Sequence, residues 1–148
     1  CIFLTEHWPG TLPEGAVHAD LFPDNVFFLR DRGAYKLSGV IDFYFSCHDM
    51  WAYDVAICIN SWCFDDRHKF APERAQAFLA AYNDVRPMTE EEGRAMPILL
   101  RGAALRFLLT RAYDWINTPA DAQVVKKDPL EYLKKLQFFQ NHSSKITI

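Results

Sequence analysis

Glycine is scarce in this sequence: 6 of 148 residues. None falls in a G-x-G-x-x-G or G-x-x-x-x-G-K spacing, which excludes a dinucleotide-binding turn and a Walker-type phosphate loop within the chain. Excess positive charge is also lacking. Lys and Arg number 16 against 19 Asp and Glu, a net charge of −3, so there is no basic footprint, and neither nucleic acid nor an anionic membrane is expected as a partner. No apolar run approaches the roughly 18 residues of a membrane helix, and the first eight residues lack the basic start and long apolar stretch of a secretory signal. A soluble, cytoplasmic protein is expected. No C-x-x-C occurs. Cys58 and Cys63 fall five apart in an expected helix, about 140° from each other around its axis, so they do not converge on a metal. All four cysteines, Cys1, Cys47, Cys58 and Cys63, are expected to pack as reduced thiols. His48 and His68 are scattered, no G-x-S-x-G elbow exists, and the chain does not begin with Met.

What is present suits one globular domain. Half the residues are hydrophobic and 15% are aromatic, with 12 Phe, and a chain of this length buries about 70% of its unfolded surface. A helix tail is expected over residues 1–8, ended by Pro9-Gly10, with a loop running on through Pro13 and Gly15. The β-prone run Val26-Phe27-Phe28-Leu29, turn chemistry at Asp31-Arg32-Gly33 and the run from Leu37 to Ile41 predict a β-hairpin. The simplest register joins Val26 to Ile41, Phe28 to Gly39 and Arg30 to Leu37, with a loop from Asp31 to Lys36. It sets Asn25 beside Asp42 at the open end.

The remainder reads as helical. A helix capped by Asp49 and running from Met50 to about Trp62 is apolar almost all round, hence central. A second opens at Pro72 and reaches about Tyr82. Thr89-Glu90-Glu91-Glu92 is a capping box ahead of a long helix that runs beyond Pro97 to about Asn117. A last helix starts at Asp128-Pro129 and ends near Gln140. Lys126-Lys127 and Lys134-Lys135 read as solvated helix ends, and the polar tail from Asn141 to Ile148 is expected to fray. The fold class is therefore α+β, mainly helical, with a small hairpin and four to five helices.

The chemistry lies in His18-Ala19-Asp20-Leu21-Phe22-Pro23-Asp24-Asn25, an H-x-D-x-x-x-x-N pattern, followed after one hairpin by Val40-Ile41-Asp42-Phe43. Kinases carry their catalytic parts in this order. In-line phosphoryl transfer needs a carboxylate to take the attacking hydroxyl's proton, which suits Asp20. It also needs hard oxygen ligands for Mg²⁺, which suits the Asp42 carboxylate and the Asn25 amide oxygen.

Longer stretches carry a resemblance. Val17 to Phe28, Gly39-Val40-Ile41-Asp42-Phe43-Tyr44-Phe45-Ser46-Cys47, Ala52-Tyr53-Asp54-Val55-Ala56-Ile57-Cys58-Ile59-Asn60, Arg101-Gly102-Ala103-Ala104-Leu105-Arg106-Phe107 with Tyr113-Asp114-Trp115, and Asp128-Pro129-Leu130-Glu131-Tyr132 resemble the aminoglycoside phosphotransferase-like kinases. Within them the Phe-Pro-Asp-Asn variant, Asp-Phe-Tyr-Phe and the long-helix pattern are most similar to the bacterial homoserine kinases. The resemblance implies the C-terminal lobe of a bilobal protein-kinase-like fold, with ATP and Mg²⁺ as cofactors and L-homoserine as the substrate whose hydroxyl receives the γ-phosphate, a step of threonine biosynthesis. By it, Asp20 is the catalytic base, Asn25 and Asp42 hold the metal, and His18 and Asp54 brace the catalytic loop from behind. Residues 1–49 would be the catalytic and metal-binding segment and 50–148 the helical substrate side. The N-terminal lobe, with its glycine-rich loop and lysine, is absent from these residues and expected upstream, so the chain alone is expected to be inactive.

The departures narrow the substrate. Phe43-Tyr44 lacks the Gly of the protein-kinase D-F-G, and Ala19 stands where those kinases carry Arg, which argues against protein substrates. A kinase for choline, methylthioribose or an aminoglycoside, or an inactive lobe serving as a binding module, are the alternatives. Arg106, Thr110, Asp114 and Asn117 form a polar stripe on the long helix. Arg106 is a candidate clamp for the substrate carboxylate. Asp114, about 12 Å further along the axis, is too far from Arg106 to share one small amino acid with it.

Overall fold

In the computed structural model, which describes residues 2–119, 121–123 and 125–142, five helices surround a buried centre and two small antiparallel sheets lie at one end. The elements are α1 (Ile2–His7), β1 (Glu14–Val17), β2 (Val26–Asp31), β3 (Ala34–Val40), β4 (Cys47–Met50), α2 (Trp51–Trp62), α3 (Pro72–Val85), α4 (Glu90–Asn117) and α5 (Leu130–Asn141). No helix among the described residues is long and apolar enough to cross a membrane. The expectations for Cys1 and for most of the tail, residues 143–148, lie outside the described residues.

α2 is the centre. Its residues Val55 through Asn60 are all buried, and Ile57 and Ile59 are fully so, each such burial contributing about 1.5–3 kcal/mol. α4 lies along it with Met96, Leu99, Leu100, Ala103 and Ala104 fully buried, and α5 closes the group with Tyr132 and Phe139. Asn60 fastens the first pair: its Nδ2 donates to the Ala56 carbonyl at 3.0 Å and to the Leu100 carbonyl of α4 at 3.1 Å. The capping box forms as expected, with Thr89 Oγ1 accepting from the Glu92 N–H at 3.2 Å and Glu92 Oε2 accepting from the Thr89 N–H at 2.9 Å. α4 runs unbroken through Pro97. The proline has no N–H, so the Gly93 carbonyl loses its helical donor there.

Four expectations are corrected. β1 falls in the segment read as loop and pairs with β4, Glu14 opposite Met50 and Val17 opposite Cys47. Four-residue strands show too little alternation to stand out. They pair across some thirty positions, and Gly15 admits the Trp51 indole where a Cβ would sit 2.6 Å from its ring nitrogen. Met50, not Asp49, takes the cap position of α2, and Asp49 Oδ1 accepts from the Met50 N–H at 2.7 Å. Cys47 is exposed, whereas Cys58 and Cys63 are buried as expected; burial pushes the Cys63 thiol up to about 11 and Cys58 higher still. Lys135 is no solvated helix end. It is 3% exposed in its side chain, and its Nζ donates to Glu131 Oε1 at 2.6 Å and to the Asn60 carbonyl at 2.9 Å.

The hairpin β2–β3 exists, in a different register. Val26 faces Val40 and Phe27 faces Gly39, then a bulge shifts the ladder so that Phe28 faces Leu37 and Asp31 faces Ala34. The turn is two residues, Arg32 at φ 48° and Gly33 at φ 89°, the left-handed pair that a tight hairpin needs and that glycine supplies without strain.

Candidate active site

The catalytic loop leaves β1 at Val17 and is held by the first turn of α2. Asp54 accepts from the His18 N–H at 3.1 Å and from the Ala19 N–H at 2.8 Å, one with each carboxylate oxygen. Ala19 sits at φ 61°, a left-handed conformation costly for a residue with a Cβ, and the two hydrogen bonds hold it there. His18 is buried. Its Nδ1 accepts from the Asp20 N–H at 3.3 Å and its Nε2 lies 2.9 Å from the Ile41 carbonyl, a pair that selects the Nε2–H tautomer. The ring packs on Phe43 with centroids 4.8 Å apart. One imidazole thus links the loop before Asp20 to the strand end before Asp42.

Asn25 closes the loop from the other side. It ends a 3₁₀ turn, Pro23–Asn25, and is 9% exposed. Its Nδ2 donates to the Asp20 carbonyl at 2.8 Å and reaches Asp20 Oδ2 at 3.4 Å, and its own carbonyl accepts from the Ile41 N–H at 3.0 Å. With the amide nitrogen committed, Oδ1 is left as an acceptor. Asp42 follows Ile41 at φ 62°. It stands one residue past the position opposite Asn25, a consequence of the shorter register, yet both line one cavity of about 400 Å³ with Asp20.

Burial raises the Asp20 carboxyl above the usual carboxylate range; Arg106 opposes that shift and the Asp42 charge adds to it. Arg106 lines the same cavity. Its Nη1 donates to the Ala19 carbonyl at 2.7 Å, its guanidinium stacks over Phe107 at 4.8 Å, and it lies against the Tyr53 hydroxyl. The arginine is turned toward the catalytic loop. Asp54 and His18 stay behind the loop, away from the cavity lining. All six residues singled out from the sequence are thereby brought around one loop, four of them on the cavity wall.

Among the cavity residues that sequence reasoning missed are the two cations Arg111 and Lys127. Arg111 lies off the polar stripe, being five residues and about 140° from Arg106. Lys127, read as a solvated helix end, donates to Asp24 Oδ2 at 2.9 Å across the cavity mouth, and this pairing holds the Asp24 carboxyl below its usual range. Lys126 caps α4 instead, donating to the carbonyls of Trp115 and Thr118. Lys127 also stacks over the Phe22 ring at 5.5 Å, a contact across 105 positions that no local pattern signals.

The donor set fits Mg²⁺. That ion is held by one or two carboxylates together with waters and phosphate oxygens, so it needs no protein cage. Asp42 and the free Asn25 Oδ1 supply such a partial set, and among the described residues no group of three or more His, Cys, Asp or Glu converges elsewhere. The arrangement pairs a carboxylate at a loop tip with two hard oxygen donors, Asp42 and Asn25 Oδ1.

The homoserine kinase of Sinorhizobium medicae (strain WSM419) is 61% identical over 136 residues, 92% of this chain and 40% of the relative. That of Bradyrhizobium diazoefficiens is 61% identical over 137 residues, 93% and 41%, and that of Bartonella henselae is 58% identical over 142 residues, 96% and 43%. The chain spans about two fifths of the length of these relatives. The family model for phosphotransferase enzymes matches residues 3–88, more than half the chain, from α1 through the catalytic loop and α2 to the end of α3. The chain belongs to the phosphotransferase enzyme family.

Proposed function

We propose that the full-length protein containing this chain is an ATP-dependent homoserine kinase, acting in threonine biosynthesis in the cytoplasm. The observation that carries the reading is the convergence of Asp20, Asn25 and Asp42 on one cavity, in a chain 58–61% identical to proteins named homoserine kinase. In this reading the substrate's side-chain oxygen attacks the γ-phosphorus as its proton passes to the Asp20 carboxylate. The new O–P bond forms while the bond from the γ-phosphorus to the bridging oxygen of ADP breaks. When bound at Asp42 and Asn25, Mg²⁺ supplies neutralisation of phosphate charge.

His18 and Asp54 are proposed as positioning residues. They fix the backbone on either side of Ala19 and so set where Asp20 points. Arg106, expected to clamp the substrate carboxylate, is committed to the Ala19 carbonyl, which favours a role in orienting the loop and moderating the Asp20 carboxyl. The groups that cradle ATP phosphates are proposed to lie in a separate N-terminal lobe of the full-length protein. ADP release by that protein with Mg-ATP is expected with L-homoserine, and far more weakly with choline, methylthioribose or an aminoglycoside. Turnover of one of those alcohols in preference to L-homoserine would overturn the substrate assignment.

A further inference from the structure

Beyond Asp20 the cavity continues along α4, and a neighbouring cavity of about 450 Å³ shares Arg111, Asp114 and Lys127 with it as a common wall. The charges on that wall do not cancel locally. Arg111 Nη1 lies 2.6 Å from Glu131 Oε2, but the other oxygen of the same carboxylate is 2.6 Å from Lys135 Nζ. Two cations divide one anion, and a net positive charge remains. Its less buried end is Arg111, 11% exposed in its side chain and lining both cavities, since Lys135 is sealed beneath Tyr132 and Phe64. Stacking of Arg111 over the Tyr132 ring at 4.5 Å holds the guanidinium in place. Lys127 is balanced by Asp24. The Asp114 carboxylate is exposed and, among the described residues, has no hydrogen-bond or ion-pair partner; its backbone carbonyl accepts from the Thr118 N–H at 2.9 Å.

A partly compensated cation, Arg111, and an exposed carboxylate, Asp114, therefore stand three residues apart on one helix, about 4.5 Å along its axis. An α-amino acid presents the complementary pair, a carboxylate and an ammonium on one carbon. We infer that Arg111 and Asp114 form the subsite for the α-carbon of the acceptor, Arg111 taking the carboxylate and Asp114 the ammonium, with the side-chain hydroxyl extended toward Asp20. The pairing of Arg106 with Asp114 fails on distance, the two being eight residues and about 12 Å apart along the axis. This inference rests on the proposed homoserine-directed activity and names the residues that would select an amino acid over other alcohols.

The test uses the full-length enzyme with L-homoserine, with 4-hydroxybutyrate, which lacks the ammonium, and with 3-amino-1-propanol, which lacks the carboxylate, each as substrate or competitive inhibitor. In Asp114→Asn the preference for L-homoserine over 4-hydroxybutyrate is expected to shrink about tenfold or more, the size of a lost charge-assisted hydrogen bond, with KM for ATP unchanged. In Arg111→Gln the preference over 3-amino-1-propanol shrinks likewise. Should Arg111→Gln fail to fold, the exposed Asp114 variant decides alone. A wild type that uses L-homoserine while Asp114→Asn leaves both preferences intact overturns the subsite only. A wild type that ignores L-homoserine overturns the proposed function and the subsite with it.

Discussion

Asp20 is placed where stability and function pull apart. Its carboxyl is raised chiefly by burial, so the folded state holds its proton more tightly than the unfolded chain. The resulting stabilisation is full below the unfolded value near 3.9 and is lost as pH rises through the higher folded value. At neutral pH the ionised group therefore opposes folding, while the proposed proton transfer from a substrate would require it ionised. Asp20→Asn is expected to lower kcat by about 10²–10⁴-fold and to leave the melting temperature unchanged or higher. Unaltered turnover would remove Asp20 from the role of base. In the wild type, the acid limb of kcat/KM should fall at a pH above the usual carboxylate range, and the Asn variant should lose that limb. That Asp20, Asn25 and Asp42 line one cavity was legible in the sequence because loop chemistry fixes residue types at short spacing. Arg111 and Lys127 were not, since their placement depends on how α5 and the residues just before it lie against α4.

Between elements, the decisive contact is the carboxylate of Glu131 on α5, which joins α5 to α4 through Arg111 and draws Lys135 onto the end of α2. Hydrogen bonds from Lys135 and Arg111 hold its carboxyl below the usual range against the opposing effect of burial. The sign is opposite to that of Asp20: this stabilisation is present above the unfolded value near 4.3 and is lost as pH falls through the folded value. Glu131→Gln would leave two cations together without their counter-ion. The expected loss is about 2–3 kcal/mol, the lower side of breaking a buried pair because a quarter of the Glu131 side chain is exposed. Denaturant unfolding at pH 7 measures it, and a change under ~0.5 kcal/mol would show that water replaces the pair. Helices of this kind were readable from caps and apolar period, as the Thr89 box and the apolar α2 demonstrate. The hairpin was readable as an element but not in register, because the bulge between Phe27 and Phe28 displaces the ladder without changing the apolar pattern.

For the molecule as a whole, the hairpin carries apolar residues on both faces. Phe28, Tyr35 and Leu37 share one, Phe27 and Leu29 the other, and all five are at least half exposed. Phe43 and Tyr44, next to Asp42, are 60% and 86% exposed. A lone two-stranded ribbon is marginal in water, and an apolar surface of this extent marks an interface. The proposed N-terminal lobe is the occupant that the reading supplies, since it must approach Asp42 from this side to present phosphates to Asp20. The 148-residue chain alone should then bind ATP only weakly, with Kd near 1 mM or above (~4 kcal/mol of binding), and show hairpin amides that exchange rapidly. In the full-length protein the same amides should be protected. Calorimetric binding of ATP to the isolated chain in the low micromolar range would show that the helical lobe grips the nucleotide by itself, and would dissolve the division of labour proposed between the two lobes.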